Sequence, residues 1–272
     1  MTNHCTTPVD QERFGGIARL YGAGPMEIIA GMHVCVVGLG GVGSWVVEAL
    51  ARSGVGRLTL IDFDIIKAGN INRQLPALSD TLEQKKFAAL ARRVELINPA
   101  CRVHTIDDFL TERNIDDYLA PARDYDYVVD AIDSIKFKAC MINHCKRNKI
   151  PIITTGGAGG LNDPARIEVV DLARTYNDPL ASKVRATLRK QYGFSKKPQK
   201  SFGVECVFSS QQQVYPRADG TVSPQKPGIH GVSLDCNFGY GSAAFVTGTF
   251  GFVAAARVIN RTLARRAATG RR

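Results

Sequence analysis

The chain has 272 residues, 44% of them hydrophobic and 22% charged, with a formal net charge of +10 and a pI near 9.4. That length accommodates one large or two small domains around an ample core, and the basic balance favours a polyanionic partner such as nucleic acid. Seven cysteines, at 5, 35, 101, 140, 145, 206 and 236, are odd in number, scattered and free of any C-x-x-C pair, which argues against a disulfide framework and a four-cysteine zinc site.

Residues 1–12 carry Pro8, Asp10 and Glu12 and no apolar stretch, so a flexible tail without a secretory signal is expected, in keeping with a reducing cytoplasm. Residues 13–29 read as a helical lead-in interrupted by Gly22 and Gly24. The run Val34-Cys35-Val36-Val37 then leads into Gly38-Leu39-Gly40-Gly41-Val42-Gly43 and a helical pattern from Ser44. Strand, tight turn and helix in this order open a doubly wound nucleotide-binding unit. Gly38 permits the sharp turn, Gly40 permits close approach of a phosphate, and Gly43 permits helix-to-strand contact. The free N–H groups from Gly41 to Ser44 and the helix dipole then form an anion site.

Residues 57–62 are a second strand ending on Asp62, 19 residues after Gly43, a spacing that suits a carboxylate bonding a ribose. An NAD-binding domain shows the same spacing, so an oxidoreductase remains open at this point. Residues 82–97 read as an amphipathic helix with Lys85, Lys86, Arg92 and Arg93 on polar faces. Strands at 102–106, 125–132 and 150–155 alternate with helices at 114–119 and 135–148, which implies right-handed crossovers and a parallel sheet. Asp133 follows the fourth strand, and Asp130 inside it reads as structural.

Beyond the flexible turn at 156–160, residues 166–172 and 204–209 read as later strands antiparallel to the first set. Between them, residues 176–200 hold Lys183, Arg185, Arg189, Lys190, Lys196, Lys197 and Lys200. Residues 211–233 read as a long exposed loop, and a helix over 242–266 ends in Arg265 and Arg266. Segment 236–256 has no charge, yet its four glycines and scattered polar residues disfavour a membrane span and suit tight packing on a sheet or a second subunit. The expected architecture is a single Rossmann-like α/β domain over 13–272, with a basic insert at about 176–235.

The glycine cluster, Asp62-Phe63-Asp64, Asn70-x-x-Arg73-Gln74, Lys86 and Asp133 together resemble the ubiquitin-activating-enzyme-like adenylyltransferases, which include the molybdopterin- and thiamine-biosynthesis enzymes. Residues 13–22, 154–160, 206–209 and 249–253 further resemble one branch, the tRNA threonylcarbamoyladenosine dehydratases. The resemblance implies ATP-dependent adenylation of the threonyl carboxylate of a modified adenosine beside the tRNA anticodon, followed by ring closure and loss of AMP. It implies ATP-site roles for Gly38, Gly40, Gly41, Gly43, Asp62, Asp64, Asn70, Arg73, Gln74, Lys86 and Asp133, with Asp133 holding magnesium.

Two anions must meet in such chemistry, so Arg73 and Lys86 are the expected neutralisers of charge on the leaving pyrophosphate. Arg13, or Arg19 beside it, resembles an arginine lent across a homodimer. The basic insert, with Arg261, Arg265 and Arg266 as a second patch, is the expected tRNA surface. Asp64 is equally readable as a loop cap. The alternative function is an adenylyltransferase activating the C-terminus of a ubiquitin-like carrier, with Cys206 or Cys236 serving a sulfur-transfer partner such as a cysteine desulfurase. The missing C-x-x-C pairs and the missing catalytic-cysteine insertion weigh against it.

Overall fold

A computed structural model of the chain describes residues 8–197, 199–217, 219–225 and 241–270. Cys5, Cys236 and residues 226–233 of the expected loop at 211–233 lie outside the described residues. At the centre stands β1 (His33–Val37), whose Val34 to Val37 are all buried. Around it lie β2 (Arg57–Ile61), β3 (Arg102–Ile106), β4 (Tyr127–Asp130), β5 (Ile152–Thr155), β6 (Ile167–Asp171) and β7 (Glu205–Ser209), in the order β3-β2-β1-β4-β5-β7-β6. Near-continuous apolar runs are what strands covered on both faces require. Val37 aligns with Ile61 on one side and Asp130 on the other. The carboxyl ends of these three strands therefore open level with one another, at the edge where open α/β sheets bind ligands.

Helices cover both faces. On one lie α3 (Gly43–Arg52), α4 (Lys86–Ile97) and the long α8 (Ala244–Ala268), contributing Val46, Leu50, Leu90, Phe250 and Val258 to a core with Val34, Val36 and Leu60. On the other, α5 (Ile115–Tyr118), α6 (Ile135–Arg147) and α7 (Pro179–Gln191) bury Met141, Ile142, Val184 and Leu188 against Cys35, Val128 and Phe208. The small residues of α8 serve packing on α3. A Cβ on Gly251 would stand 2.6 Å from Trp45 Cβ and 2.8 Å from Val42 O. Among the described residues no helix is long and apolar enough to cross a membrane.

The doubly wound fold is as expected; several boundaries and one strand direction are not. Helix α1 (Pro8–Tyr21) begins inside the expected tail. Gly22, at φ +95°, separates it from α2 (Ala23–Gly31), whereas Gly24 lies within α2. Helix α4 starts at Lys86, not at 82, because Glu83 adopts φ +65°, a left-handed conformation that no continuous helix contains. Strand β7 is parallel to β5 and only β6 is antiparallel. The chain turns directly from β5 into β6 without a crossover helix, so β6 runs back down the sheet. Helix α7 then supplies the crossover that brings β7 up between them. The expected loop at 211–233 contains a hairpin of β8 (Tyr215–Pro216) and β9 (Val222–Ser223), with Gln213, Tyr215 and Ser223 buried.

Candidate active site

The turn after β1 is built as its glycines demand. Gly38 sits at φ +87°, and a Cβ on Gly43 would fall 1.8 Å from Gly38 O, so turn and helix can close on each other only without side chains. At Gly40 the protein makes no such demand, for a Cβ would meet only Gln74 Nε2 at 3.9 Å. The space is left for something that approaches the backbone. Helix α3 has no side-chain cap at Val42; Ser44 N–H, expected to be free, donates to Gly40 O at 3.2 Å, so it is the N–H groups before it and the positive dipole end that face that space. Ser44 Oγ donates to Gly40 O at 2.7 Å and accepts from Leu75 N–H at 3.2 Å, tying the turn to the following loop.

Asp62, at the end of β2, is buried. Its Oδ2 accepts from Leu39 N–H at 2.6 Å and its Oδ1 from Asp64 N–H at 2.8 Å. Burial pushes the carboxyl above the usual range, opposed by Lys86 and the two N–H donors. Asp64 is more than the loop cap that its position suggested: its Oδ2 lies 2.8 Å from Lys86 Nζ. Lys86 is not on a polar face of a helix. It is the first residue of α4 and only 5% exposed, so a buried cation faces the positive end of a helix dipole. That local conflict costs stability and marks a site whose charge awaits an anion.

Arg73 lies along the glycine turn, where a Cβ on Gly41 would sit 3.4 Å from its Cγ and Cδ. Its Nη1 donates to Gly69 O at 2.8 Å and Asn72 Oδ1 at 2.9 Å. Arg73 O accepts from Trp45 Nε1 at 3.0 Å and from Thr247 Oγ1 at 3.2 Å, so α3 and α8 clamp the backbone that carries the guanidinium. Trp45 and Thr247 went unnoticed in the sequence, because nothing local marks a side chain as serving a carbonyl far along the chain. Asn70 Oδ1 accepts from Lys67 N–H at 3.0 Å, capping its own turn. Gln74 is buried and its Oε1 has no hydrogen-bond partner among the described residues, an orphan that a ligand or water must satisfy. Asp133 stands exposed past β4.

Other expectations fare differently. Arg13 Nη1 donates to Ile97 O at 3.2 Å, at the far end of α4 from Lys86. Eleven residues of helix put it about 17 Å from its own chain's site. In the basic insert Arg185 turns inward to Thr175 Oγ1, and Arg189 lies over the Phe202 ring at 5.4 Å. Lys183, Lys190, Lys196, Lys197 and Lys200 are exposed. The second patch is engaged: Arg261 pairs with Glu205, and Arg266 with Asp126 at 2.6 Å, while Arg265 donates to Asp126 O at 2.8 Å. Cys206 is fully buried and its thiol pushed well above the ordinary range by burial, which removes it as a sulfur-transfer nucleophile. Among the described residues no group of three or more His, Cys, Asp or Glu could hold a metal ion.

Sequence reading missed one buried pair. Lys138 Nζ lies 2.8 Å from Asp130 Oδ1, and Thr154 Oγ1 donates to Asp130 Oδ2 at 2.6 Å. Burial raises the Asp130 carboxyl against the pull of Lys138. The structural reading of Asp130 holds. Lys138, on an amphipathic helix, looked like any solvated lysine.

The pattern of the ThiF family matches residues 16–268. The chain belongs to the ThiF family. Within that family it is 49% identical over 261 residues to the tRNA threonylcarbamoyladenosine dehydratase of Escherichia coli K12, covering 96% of this chain and 97% of that one. The Haemophilus influenzae protein of the same name is 50% identical, covering 93% and 94%. Among solved structures, the E. coli dehydratase in complex with ATP superposes with a TM-score of 0.85 at 45% identity, covering 96% of this chain and 98% of that one. By contrast, the molybdopterin-synthase adenylyltransferase of H. influenzae is 30% identical over only 47% of this ThiF-family chain.

Proposed function

We propose that this chain is an ATP-dependent dehydratase that cyclises N6-threonylcarbamoyladenosine in tRNA. The observation that carries the reading is the end-to-end likeness to a dehydratase solved with ATP, at 45% identity. The uncapped α3 N-terminus and the space at Gly40 fit a nucleotide's phosphates, while Gln74 Oε1, an acceptor without a partner among the described residues, fits a donor such as a hydroxyl, an amino group or water. Asp62, held level with the turn, is the ribose acceptor, while Asn70 and Gln74 offer amide N–H groups to phosphate oxygens.

In this mechanism a threonyl carboxylate oxygen attacks the α-phosphorus and pyrophosphate leaves, giving an acyl-adenylate. The carbamoyl nitrogen then attacks the activated carbonyl, forming the ring C–N bond, losing its proton and expelling AMP. The net change in the nucleoside is loss of water. Arg73, planar and forked, and Lys86, a buried point charge, stabilise the charge growing on the leaving pyrophosphate. Lys86 exchanges Asp64 for phosphate oxygens as it does so.

Magnesium fits this site through one protein carboxylate, Asp133, with the remaining ligands drawn from phosphates and water, the usual arrangement for this ion. Bound there, it would neutralise phosphate charge. Arg13 cannot reach its own site from the end of α4, so it completes the site of a second copy in a homodimer; the exposed Phe245 and Phe252 on α8 offer apolar surface for such contact. The chain forms one catalytic domain, working in the cytoplasm where tRNA is modified.

The test is incubation with ATP, magnesium and tRNA carrying the linear modification, followed by nucleoside mass spectrometry. A product lighter by one water, formed only with ATP, is expected. Recovery of the nucleoside unchanged while a ubiquitin-like carrier is adenylated would instead establish the carrier-activating alternative.

A further inference from the structure

Farther along the same sheet edge lies a cavity of about 410 Å³, lined by Asn177, Asp178, Ser182, Arg185, Gln213 and Tyr215 among others. Its size is that of a small-molecule site. Its walls are preformed. Asp178 accepts from Gly157 N–H at 3.0 Å and Ala181 N–H at 2.9 Å, and a Cβ on Gly156 would fall 1.8 Å from Asp178 Oδ2. Gln213 Nε2 donates to Gly159 O at 2.9 Å, and Val214 N–H donates to Gly160 O at 2.9 Å. The glycine turn at 156–160 is thereby tied to Asp178, Gln213 and Val214.

The cavity holds a polar group with nothing to bind. Gln213 is only 7% exposed, yet its Oε1 has no hydrogen-bond partner among the described residues. With Nε2 committed to Gly159, the amide is oriented and its oxygen is an acceptor awaiting an N–H donor. Arg185, turned in from the basic insert, brings a fork of N–H donors to the same cavity, and Tyr215 brings an aromatic ring. An acceptor, a donor fork and an aromatic face are the elements by which an unstacked base is read.

The position matches the chemistry as well. The cavity sits at the carboxyl ends of β5 and β7, two to three strand spacings from the turn on β1, or roughly 10–15 Å. Asp133, after β4, lies between. A threonylcarbamoyl arm is about two peptide units long, roughly 7 Å when extended. A base seated here would direct its carboxylate back along the edge towards the nucleotide's α-phosphate.

We propose that this cavity is the pocket for the modified purine nucleoside of the RNA substrate, extruded from the anticodon loop, with Gln213 and Arg185 reading the base. The inference rests on the dehydratase reading above. It separates adenylation from recognition: the β1–β2–β4 half of the edge holds ATP, and the β5–β7 half holds the base.

The test compares Ser182→Trp, which fills the cavity from its exposed rim, with Gln213→Leu, which removes the acceptor. Readouts are kcat/KM with modified tRNA, binding of the free nucleoside N6-threonylcarbamoyladenosine, and thermal stabilisation by ATP. Ser182→Trp should lower kcat/KM and nucleoside affinity by tenfold or more, and Gln213→Leu by roughly threefold to tenfold, with the ATP shift kept in Ser182→Trp. Because Gln213→Leu also removes the bond to Gly159, Ser182→Trp carries the decision. If Ser182→Trp binds the free nucleoside and turns over tRNA as the parent does, the base docks elsewhere and the proposal is overturned. Failure of the parent protein itself to turn over tRNA would instead sink the dehydratase reading.

Discussion

Lys86, the phosphate-binding cation of the proposed mechanism, sits where it adds little to the fold. A buried ammonium at the positive end of α4, offset by the half-exposed Asp64, gives little stability and gains its value when a polyanion arrives. Replacing Lys86 or Arg73 with Ala should therefore lower turnover by about two orders of magnitude or more, while Lys86→Met leaves the melting temperature unchanged or raises it. A large loss of stability in Lys86→Met, with activity retained, would show the lysine to be structural. Glu48 is the opposite case. Burial alone would raise its carboxyl, but bonds from Arg93 at 2.6 Å and Arg52 at 2.7 Å outweigh that and hold it below the ordinary value of 4.5. A depressed folded value contributes stability that is complete above the ordinary value and fades as the pH falls through the depressed one. Glu48→Gln should cost about 1–2 kcal/mol at pH 7, and urea titrations should show the gap narrowing as the medium is acidified below that value. The positions of the turn glycines and of Asp62 and Arg73 beside them were legible because the signals are local: a turn, a strand end, a fixed spacing. Lys86 was singled out only through the family pattern. Its burial was not legible, because the left-handed Glu83 delays the helix without altering its apolar spacing.

At the scale of elements, the inner parallel strands could be read from their apolar runs, whereas β3, at the sheet edge with Arg102 and His104 exposed, alternates instead. The direction of β7 could not be read. Strand direction depends on how the chain returns, and the return runs through α7, whose basic face resembles a solvated insert in the sequence. Asp130 and Lys138 join two such elements, β4 and α6, and their pairing is equally hidden in sequence. Both are essentially inaccessible to solvent, so each is tolerated only because of the other. Lys138→Met alone should leave an uncompensated buried carboxylate and cost about 3–5 kcal/mol. Adding Asp130→Asn, which keeps an acceptor for Thr154, should recover much of that loss in urea denaturation at neutral pH. A double variant no more stable than Lys138→Met would mean that packing rather than charge dominates the junction.

At the scale of the whole molecule, two questions concern what lies beyond one chain. The first is the proposed service of Arg13 to a second copy. Mixing inactive Arg13→Ala with inactive Lys86→Ala should restore one complete site in each mixed dimer, about a quarter of all sites after free exchange; a mixture as inactive as its parts would remove Arg13 from the neighbour's site. The second is the RNA. A net charge of +10 suggested a polyanionic partner, but it could not say which cations are free to meet one. The structure divides them: Arg257, Arg261 and Arg266 pair with Glu205 and Asp126, and Arg185 turns inward to Thr175. Within the basic insert, the lysine face of α7 and the following loop remains, with Lys183, Lys190, Lys196, Lys197 and Lys200 exposed. Phosphates flanking an extruded base would pass over this face. Reversing Lys183, Lys190 and Lys197 to Glu should weaken tRNA binding and lower its salt dependence by roughly one unit of log–log slope for each phosphate no longer held. Stabilisation by ATP should be unaltered, since none of the three approaches the glycine turn. A salt slope equal to that of the parent would mean that these lysines only keep the surface solvated and that the anticodon arm is held by another face.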